Sequence, residues 1–215
     1  GSGNVAIYTI HKLYELGAKP VTCSDSKGSI HQPGGINLEV LKQVKEQERA
    51  SLARYAELCP DATYIAAKDY RKNAHPVWDV PCQLAFPSAT QNELTGDDAA
   101  NLIKNGCFLV CEGANMPSTP EAVSAFLGAG IAFGPGKCAN AGGVSTSQLE
   151  MAQNASMQAW SFEEVDAKLR NIMANIFNAA HNTAEEFGVS GNYVLGGNIA
   201  GFRKVADAMI EQGVM

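Results

Sequence analysis

The chain has 215 residues, 46% of them hydrophobic and 18% charged, with a formal net charge of −6. This suits one large globular domain or a domain with an appendage, and the acidic balance argues against a nucleic-acid scaffold, which carries a basic face. No apolar run reaches the ~20 residues that span a bilayer, and no signal peptide opens the chain, so the cytoplasm is the default compartment and no membrane partner is expected.

The first element is a glycine turn, Gly1-Ser2-Gly3, followed by a helix whose apolar stripe is Val5, Ile10, Leu13 and Leu16, with Gly17 at its C-terminal cap. The segment from Lys19 to Asp25 is short and β-prone, and residues 25–37 are turn-rich. From the capping residue Asn37, the positions Leu38, Leu41, Val44, Leu52 and Tyr55 predict one continuous helix. Short apolar runs at 63–67, 82–86 and 107–113 predict strands, and 130–135 predicts a weaker one. Thr95 with Asp98, and Thr119 before Pro120, predict helix starts between them. Strands alternating with helices imply an α/β fold with a doubly wound, mostly parallel sheet over residues 1–160. Ser161 with Glu164 forms a capping box, and Val165, Leu169, Ile172, Ile176 and Ala180 follow at helical spacing. A last helix is expected from Ile199, so 161–215 reads as a helical appendage.

Six cysteines, Cys23, Cys59, Cys82, Cys107, Cys111 and Cys138, include no CxxC spacing and read as free thiols of a reduced compartment. Cys107 and Cys111 are expected on one face of a strand. Four scattered histidines give no metal-ligand spacing, so no metal is expected.

Gly1-Ser2-Gly3-Asn4-Val5-Ala6 matches G-x-G-x-x-A. The first glycine permits a tight turn, the second lets the backbone approach a pyrophosphate, and the small last residue allows close packing of helix on strand. The helix N-terminus then presents free N–H groups to the phosphates. Glycines alone would be ordinary loop punctuation. The helix that follows at once, and Asp25 at the end of the next strand, where a ribose-binding carboxylate belongs, make this a Rossmann-like dinucleotide site. Such a fingerprint normally follows a strand. Nothing precedes Gly1, so the central strand of the expected sheet lies outside these residues.

Five further segments carry a resemblance. They are Ala89-Thr90-Gln91-Asn92-Glu93, Glu112-Gly113-Ala114-Asn115-Met116-Pro117, Pro135 through Val144, Leu149 through Asn154, and Asn198 through Phe202 with Val205 through Met209. In this order they resemble the hexameric-type bacterial glutamate dehydrogenases, and specifically their C-terminal coenzyme-binding domain. Ser88, where that family more usually has cysteine, and His11, where an acidic residue is common, depart from its pattern. The resemblance implies oxidative deamination of L-glutamate to 2-oxoglutarate and ammonia with hydride passing to a nicotinamide dinucleotide. It implies catalytic acid–base residues in an N-terminal domain absent here, so none is assigned in this chain. The parent is expected to be a homohexamer, the chain itself a monomer or weak dimer, and residues 161–215 to pack back toward the missing domain. A leucine- or phenylalanine-type dehydrogenase shares the Asn-Ala-Gly-Gly segment but lacks the continuation after Ser147. A nucleotide-binding module without catalysis is the reading from another class.

The coenzyme residues so implied are Ser2, Gly3, Asn4 and Val5 in the turn, Ala89, Thr90 and Gln91 beneath the nicotinamide ribose, and Asn115 and Asn140 at the nicotinamide amide. Val144 and Ser147 are implied for the glutamate side chain. At the adenosine ribose the candidates are Ser24, Asp25, Ser26 and Lys27. Asp25 alone favours NAD, but two hydroxyls and a cation favour the 2′-phosphate of NADP if Asp25 turns outward. NADP is the preferred cofactor, with NAD use left open.

Overall fold

The computed structural model describes residues 1–72 and 74–213. The chain divides into two compact units, Gly1–Ala132 and Phe133–Met215. Beyond Gly134 the described residues form helices and no strand.

In the first unit, α1 (Asn4–Glu15) buries Ala6, Ile7 and Ile10. Val5 and Leu16, expected in the buried stripe, are 49% and 75% exposed. Gly17 ends the helix with φ of +80°, a conformation that costs a residue without a Cβ nothing. Next come β1 (Thr22–Asp25), β2 (Gly28–His31) and β3 (Thr63–Ala66), in the order β1-β2-β3, each pair antiparallel. The α/β class is as expected, and within it these three strands pair antiparallel. The stretch read as turns is a hairpin. The Asp25 carboxylate accepts the Lys27 and Gly28 N–H groups at 2.8 and 3.1 Å and folds the chain back at once. Gly28 is required there, since a Cβ would stand 2.4 Å from the Ile65 carbonyl oxygen.

The single helix predicted from Asn37 is also broken. Asn37 does cap it, accepting from Val40 N at 3.2 Å. But α2 (Leu38–Lys42) runs into a π-helical turn at Gln43–Gln47, the chain reverses at Arg49 (φ 52°), and α3 (Leu52–Leu58) starts afresh. Ser51 makes no side-chain cap bond for α3. Its first N–H, on Leu52, donates instead to Asp25 Oδ2 at 2.9 Å, so a tertiary carboxylate starts a helix that local sequence leaves uncapped. The apolar stripe still reaches the core. Ile7, Ile10, Ile30, Leu41, Val44, Leu52 and Tyr55 form one buried cluster. Each such aliphatic side chain is worth about 1.5–3 kcal/mol when fully buried. Tyr55 donates to Gln32 Oε1 and accepts from Asn37 N, which satisfies its hydroxyl inside that cluster.

After α4 (Pro76–Asp79) comes a second sheet of β4 (Leu84–Ala85), β5 (Leu109–Cys111) and β6 (Ala132–Gly134), in the order β4-β5-β6, with β4 parallel to β5. α5 (Gly96–Lys104) opens with the expected Thr95/Asp98 pair, here a full capping box. α6 (Pro120–Gly128) opens with Thr119 accepting from Ala122 N and Pro120 in the first turn. Leu94, Ala99, Leu102, Val110, Ala122 and Phe126 are buried around them. Cys107 lies just before β5, its thiol donating to the Leu109 carbonyl, so it does not share a strand face with Cys111. All six cysteines are free.

In the second unit, α7 (Gly136–Ala139) and α8 (Ala141–Ser156) precede two long helices, α9 (Phe162–Glu186) and α10 (Tyr193–Gln212). The Ser161/Glu164 capping box forms as expected. α10 begins at an Asn192 cap, earlier than Ile199. Gly196 sets the α9–α10 approach: a Cβ there would stand 2.1 Å from the Ala180 carbonyl oxygen. No described helix is long and apolar enough to cross a membrane.

Candidate functional site

In the first unit the carboxyl ends of three strands converge on the glycine turn. From β1, Ser24 Oγ accepts from the Gly1 amino group at 3.1 Å, and Ser24 N–H donates back to the Gly1 carbonyl at 3.4 Å. Beyond β4, the Ser88 carbonyl lies so near that a Cβ on Gly1 would be 2.6 Å from its oxygen. Beyond β5, Gly113 packs under the turn, where a Cβ would stand 2.5 Å from Ser88 Oγ and 3.0 Å from Val5 Cγ1. Ligands of open α/β sheets bind outside the carboxyl ends of the strands, so this is where the fold places a site.

The turn itself is open on its other side. Gly3 has nothing within 4 Å of where a Cβ would be, and it forms the N-cap of α1 with no side-chain cap bond. No acidic residue stands in the first turn of α1. The twelve-residue helix therefore turns its positive dipole end and uncapped N–H groups toward exposed Gly3, Asn4 and Val5, as anion binding requires. Ser2 is buried.

Asp25 turns inward. Its Oδ1 accepts from Lys27 N and Gly28 N, and its Oδ2 accepts from Lys45 Nζ at 3.0 Å and Leu52 N at 2.9 Å. Its side chain is 11% exposed. Burial alone would raise its pKa, but the hydrogen bonds from Lys27, Lys45 and Leu52 hold the carboxyl below its ordinary range. Both carboxylate oxygens of Asp25 are thus engaged within the protein. Ser24 is buried beside Gly1, whereas Ser26 and Lys27 are exposed at the rim. Sequence spacing gave no sign of Lys45, twenty positions from Asp25, or of the packing contact between Ser88 and Gly113.

Ala89, Thr90 and Gln91 form an exposed loop past β4, pinned by Glu93 Oε1, which accepts from Ala89 N at 2.7 Å. Asn115 is exposed on the neighbouring loop. The two loops are laced together, with Asn92 N donating to the Met116 carbonyl and Leu94 N to the Pro117 carbonyl. Ser2 through Val5, Ser24 through Lys27, Ala89 through Gln91 and Asn115 are thus all brought to one end of the first unit. In the second unit, Asn140 is the N-cap residue of α8. Val144 is 63% exposed, and Ser147, one turn on, is also exposed, its hydroxyl donating back to the Gly143 carbonyl at 3.3 Å. The two predicted substrate residues therefore share one solvent face of one helix.

Residues 1–213 match the family described as Glutamate/Leucine/Phenylalanine/Valine dehydrogenase. The chain belongs to this family. It is 59% identical over 214 residues to the NADP-specific glutamate dehydrogenase of Helicobacter pylori, and 48% identical over 218 residues to that of Escherichia coli K12. All of this chain is covered in both cases, but only 48% and 47% of those proteins, so it spans about half their length. The crystal structure of Plasmodium falciparum glutamate dehydrogenase superposes with a TM-score of 0.92 at 46% identity, covering 100% of this chain and 45% of that one.

Proposed function

We propose that this chain is the coenzyme-binding half of an NADP-dependent glutamate dehydrogenase, whose whole converts L-glutamate, NADP and water to 2-oxoglutarate, ammonia and NADPH. The observation that carries the coenzyme choice is the engagement of Asp25. A carboxylate that selects NAD must turn its oxygens to the ribose hydroxyls and repel a 2′-phosphate. Here both oxygens accept from Lys27, Gly28, Lys45 and Leu52. Its charge is balanced by Lys45, and the groups left at the rim are the Ser26 hydroxyl and the Lys27 ammonium, both suited to phosphate. Relatives at 59% and 48% identity that are named NADP-specific support the same choice. The pyrophosphate takes the N-terminus of α1 through Ser2, Gly3, Asn4 and Val5. Ala89, Thr90 and Gln91 lie under the nicotinamide ribose, and Asn115 and Asn140 serve its amide.

The glutamate side-chain carboxylate takes Ser147, with Val144 as pocket wall. The acid and base of the reaction belong to the other half of the enzyme, so the 215-residue chain alone turns over no glutamate. The exposed stripe of Phe202, Val205 and Met209 on α10 is the surface with which residues 161–215 meet that half. Fluorescence titration of the chain with NADPH and NADH tests the coenzyme reading. Lys27→Ala weakens NADPH binding by about 1 kcal/mol, roughly five-fold, and leaves NADH unchanged. Equal loss for both coenzymes, or a wild-type preference for NADH, refutes it.

A further inference from the structure

β4 and β5 run parallel, with Leu84 opposite Leu109 and Ala85 opposite Val110. The ladder continues toward their amino ends, where Phe108 N donates to the Gln83 carbonyl at 3.0 Å. Carried on in the same register, it sets Cys82 opposite Cys107. Neighbouring strands lie about 4.7–4.9 Å apart, which falls inside the Cα–Cα separation of about 4.4–6.8 Å that a disulfide bridges. Residues opposite each other in a ladder also send their side chains to the same face. The two thiols do meet. Cys82 donates a hydrogen bond to the Cys107 sulfur, and Cys107 in turn donates to the Leu109 carbonyl at 3.3 Å.

The pair is covered but lies at a rim. Cys107 is 4% exposed and Cys82 is half-buried, yet their chain neighbours Pro81, Gln83, Gly106 and Phe108 are all exposed. A molecule little larger than water reaches such sulfurs more readily than a bulky disulfide does. The cysteines also differ in acidity. Burial pushes the thiols of Cys23, Cys111 and Cys138 up. In Cys107 the hydrogen bond from Cys82 outweighs burial and holds the thiol below its ordinary range, and the same bond pushes Cys82 up. A thiol inclined to ionise, with a second thiol against it, is the arrangement in which one sulfur is oxidised and the other resolves it. The pair stands at the amino ends of β4 and β5, away from the carboxyl ends where Ser88 and Gly113 pack beneath the glycine turn. No residue assigned to the coenzyme or to glutamate takes part.

We propose that Cys82 and Cys107 form an oxidation site for a small hydroperoxide, which joins β4 to β5 through a reversible disulfide. Cys107 gives its proton to solvent, and its thiolate attacks one oxygen of hydrogen peroxide. The O–O bond breaks, Cys107 becomes a sulfenic acid, and the departing hydroxide takes up a proton as water. The Cys82 sulfur then attacks the Cys107 sulfur. The S–S bond forms, the S–O bond breaks, and the hydroxide leaves as water with the Cys82 proton. Two thiols and one hydrogen peroxide thus give one disulfide and two waters, the sulfurs being oxidised and the peroxide oxygens reduced. The bond joins strands already in register and closes the chain from Cys82 to Cys107, which carries α5 and the exposed loop 89–91. A dithiol reverses it by exchange, so the bond is transient wherever thiols are kept reduced. The inference stands whichever coenzyme binds.

The test treats the reduced 215-residue chain, freed of reductant, with hydrogen peroxide, then alkylates the remaining thiols in denaturant and maps the peptides by mass spectrometry. A peptide containing Cys82 linked to one containing Cys107 is expected to exceed every other cysteine pairing by about ten-fold or more, with Cys23, Cys59, Cys111 and Cys138 still alkylated. The cross-linked chain is expected to melt about 5–10 °C higher, and dithiothreitol to return it to the starting Tm. In Cys82→Ser a cyclic-dione trap captures the sulfenic acid at Cys107, and neither Cys82→Ser nor Cys107→Ser forms the cross-link. Absence of the Cys82–Cys107 peptide, or other pairings in comparable amounts, overturns the proposal. So does an unchanged or lowered Tm in the cross-linked chain, because the bond would then strain the sheet. Trapping at Cys82 with Cys107 left as a thiol overturns the order of the steps. If either variant fails to fold, the peptide map and melting of the unsubstituted chain decide alone.

Discussion

Asp25 is the residue whose replacement discriminates most sharply between a ligand-facing and a structural carboxylate. In Asp25→Asn the remaining carbonyl oxygen can still accept from Lys27 N and Gly28 N. The new amide NH₂, however, faces two donors, Lys45 Nζ and Leu52 N, now 3.0 and 2.9 Å away. Two hydrogen bonds are lost. Lys45, 20% exposed, keeps only the Ala50 carbonyl at 2.9 Å, and the first N–H of α3 loses its cap. A hydrogen bond to a charged group is worth about 1.5–3 kcal/mol, and one partner of a well-buried pair costs about 3–5 kcal/mol to remove. Because the pair is not fully buried, about 2–3 kcal/mol is expected, which for a chain of this size is a fall in Tm of about 5–10 °C. Lys45→Met should cost less, about 1 kcal/mol, since the carboxylate keeps its three backbone donors. The pH dependence has a definite sign. Asp25 is held below its ordinary range in the folded chain. Its contribution is therefore complete above the unfolded carboxylate pKa of about 3.9 and is lost as pH falls below that value through the folded one. Urea denaturation at pH 7 and between pH 5 and 3 is the assay. A loss under about 0.5 kcal/mol for Asp25→Asn, or a wild-type–mutant difference that does not shrink in acid, refutes the structural role and returns the carboxylate to the ribose.

Three other outcomes follow from contacts. Gly113→Ala places a methyl 2.5 Å from Ser88 Oγ and 3.0 Å from Val5 Cγ1, so it should cost about 1–3 kcal/mol and weaken coenzyme binding, with partial rescue by Ser88→Ala; a neutral Gly113→Ala contradicts the close packing beneath the turn. Gly196→Ala meets the Ala180 carbonyl at 2.1 Å and should destabilise the second unit strongly, by about 2–4 kcal/mol, whereas Gly201→Ala, with nothing within 4 Å, should stabilise it by up to about 1 kcal/mol; differential scanning calorimetry separates the two. Ser147→Ala should leave the melting of this chain unaltered, because the exposed hydroxyl bonds only its own helix. In an enzyme carrying the substrate half it should lower kcat/KM for glutamate by about 1.5–3 kcal/mol, and unchanged steady-state kinetics would remove it from the substrate site.

The placement of the candidate residues at the glycine turn was legible because the signals are local. A glycine turn followed at once by a helix, and a short strand ending in Ser24-Asp25, put Gly3, Asn4 and Asp25 in order along the chain without reference to anything distant. The capping residues Asn37, Thr95, Thr119 and Ser161 were legible for the same reason: each bonds an N–H three residues away. What failed were readings in which a partner far along the chain prevails. Hydrophobic spacing from Leu38 to Tyr55 fits one helix as well as two, and only the capture of Leu52 N by Asp25, twenty-seven residues earlier, starts the second.

Sequence alone therefore determined the alternating α/β architecture, the helix starts marked by Asn37, Thr95, Thr119 and Ser161, the glycine turn before α1 and the family, all of which rest on residue types at short, fixed spacing. Tertiary structure decided the antiparallel hairpin at Ser26 and Lys27, the inward commitment of Asp25 to Lys45, and the meeting of Gly1, Ser88 and Gly113 beneath the turn. These depend on which backbone groups find partners across long stretches of chain. A periodic pattern encodes which side of an element is apolar, but not what comes to lie against it.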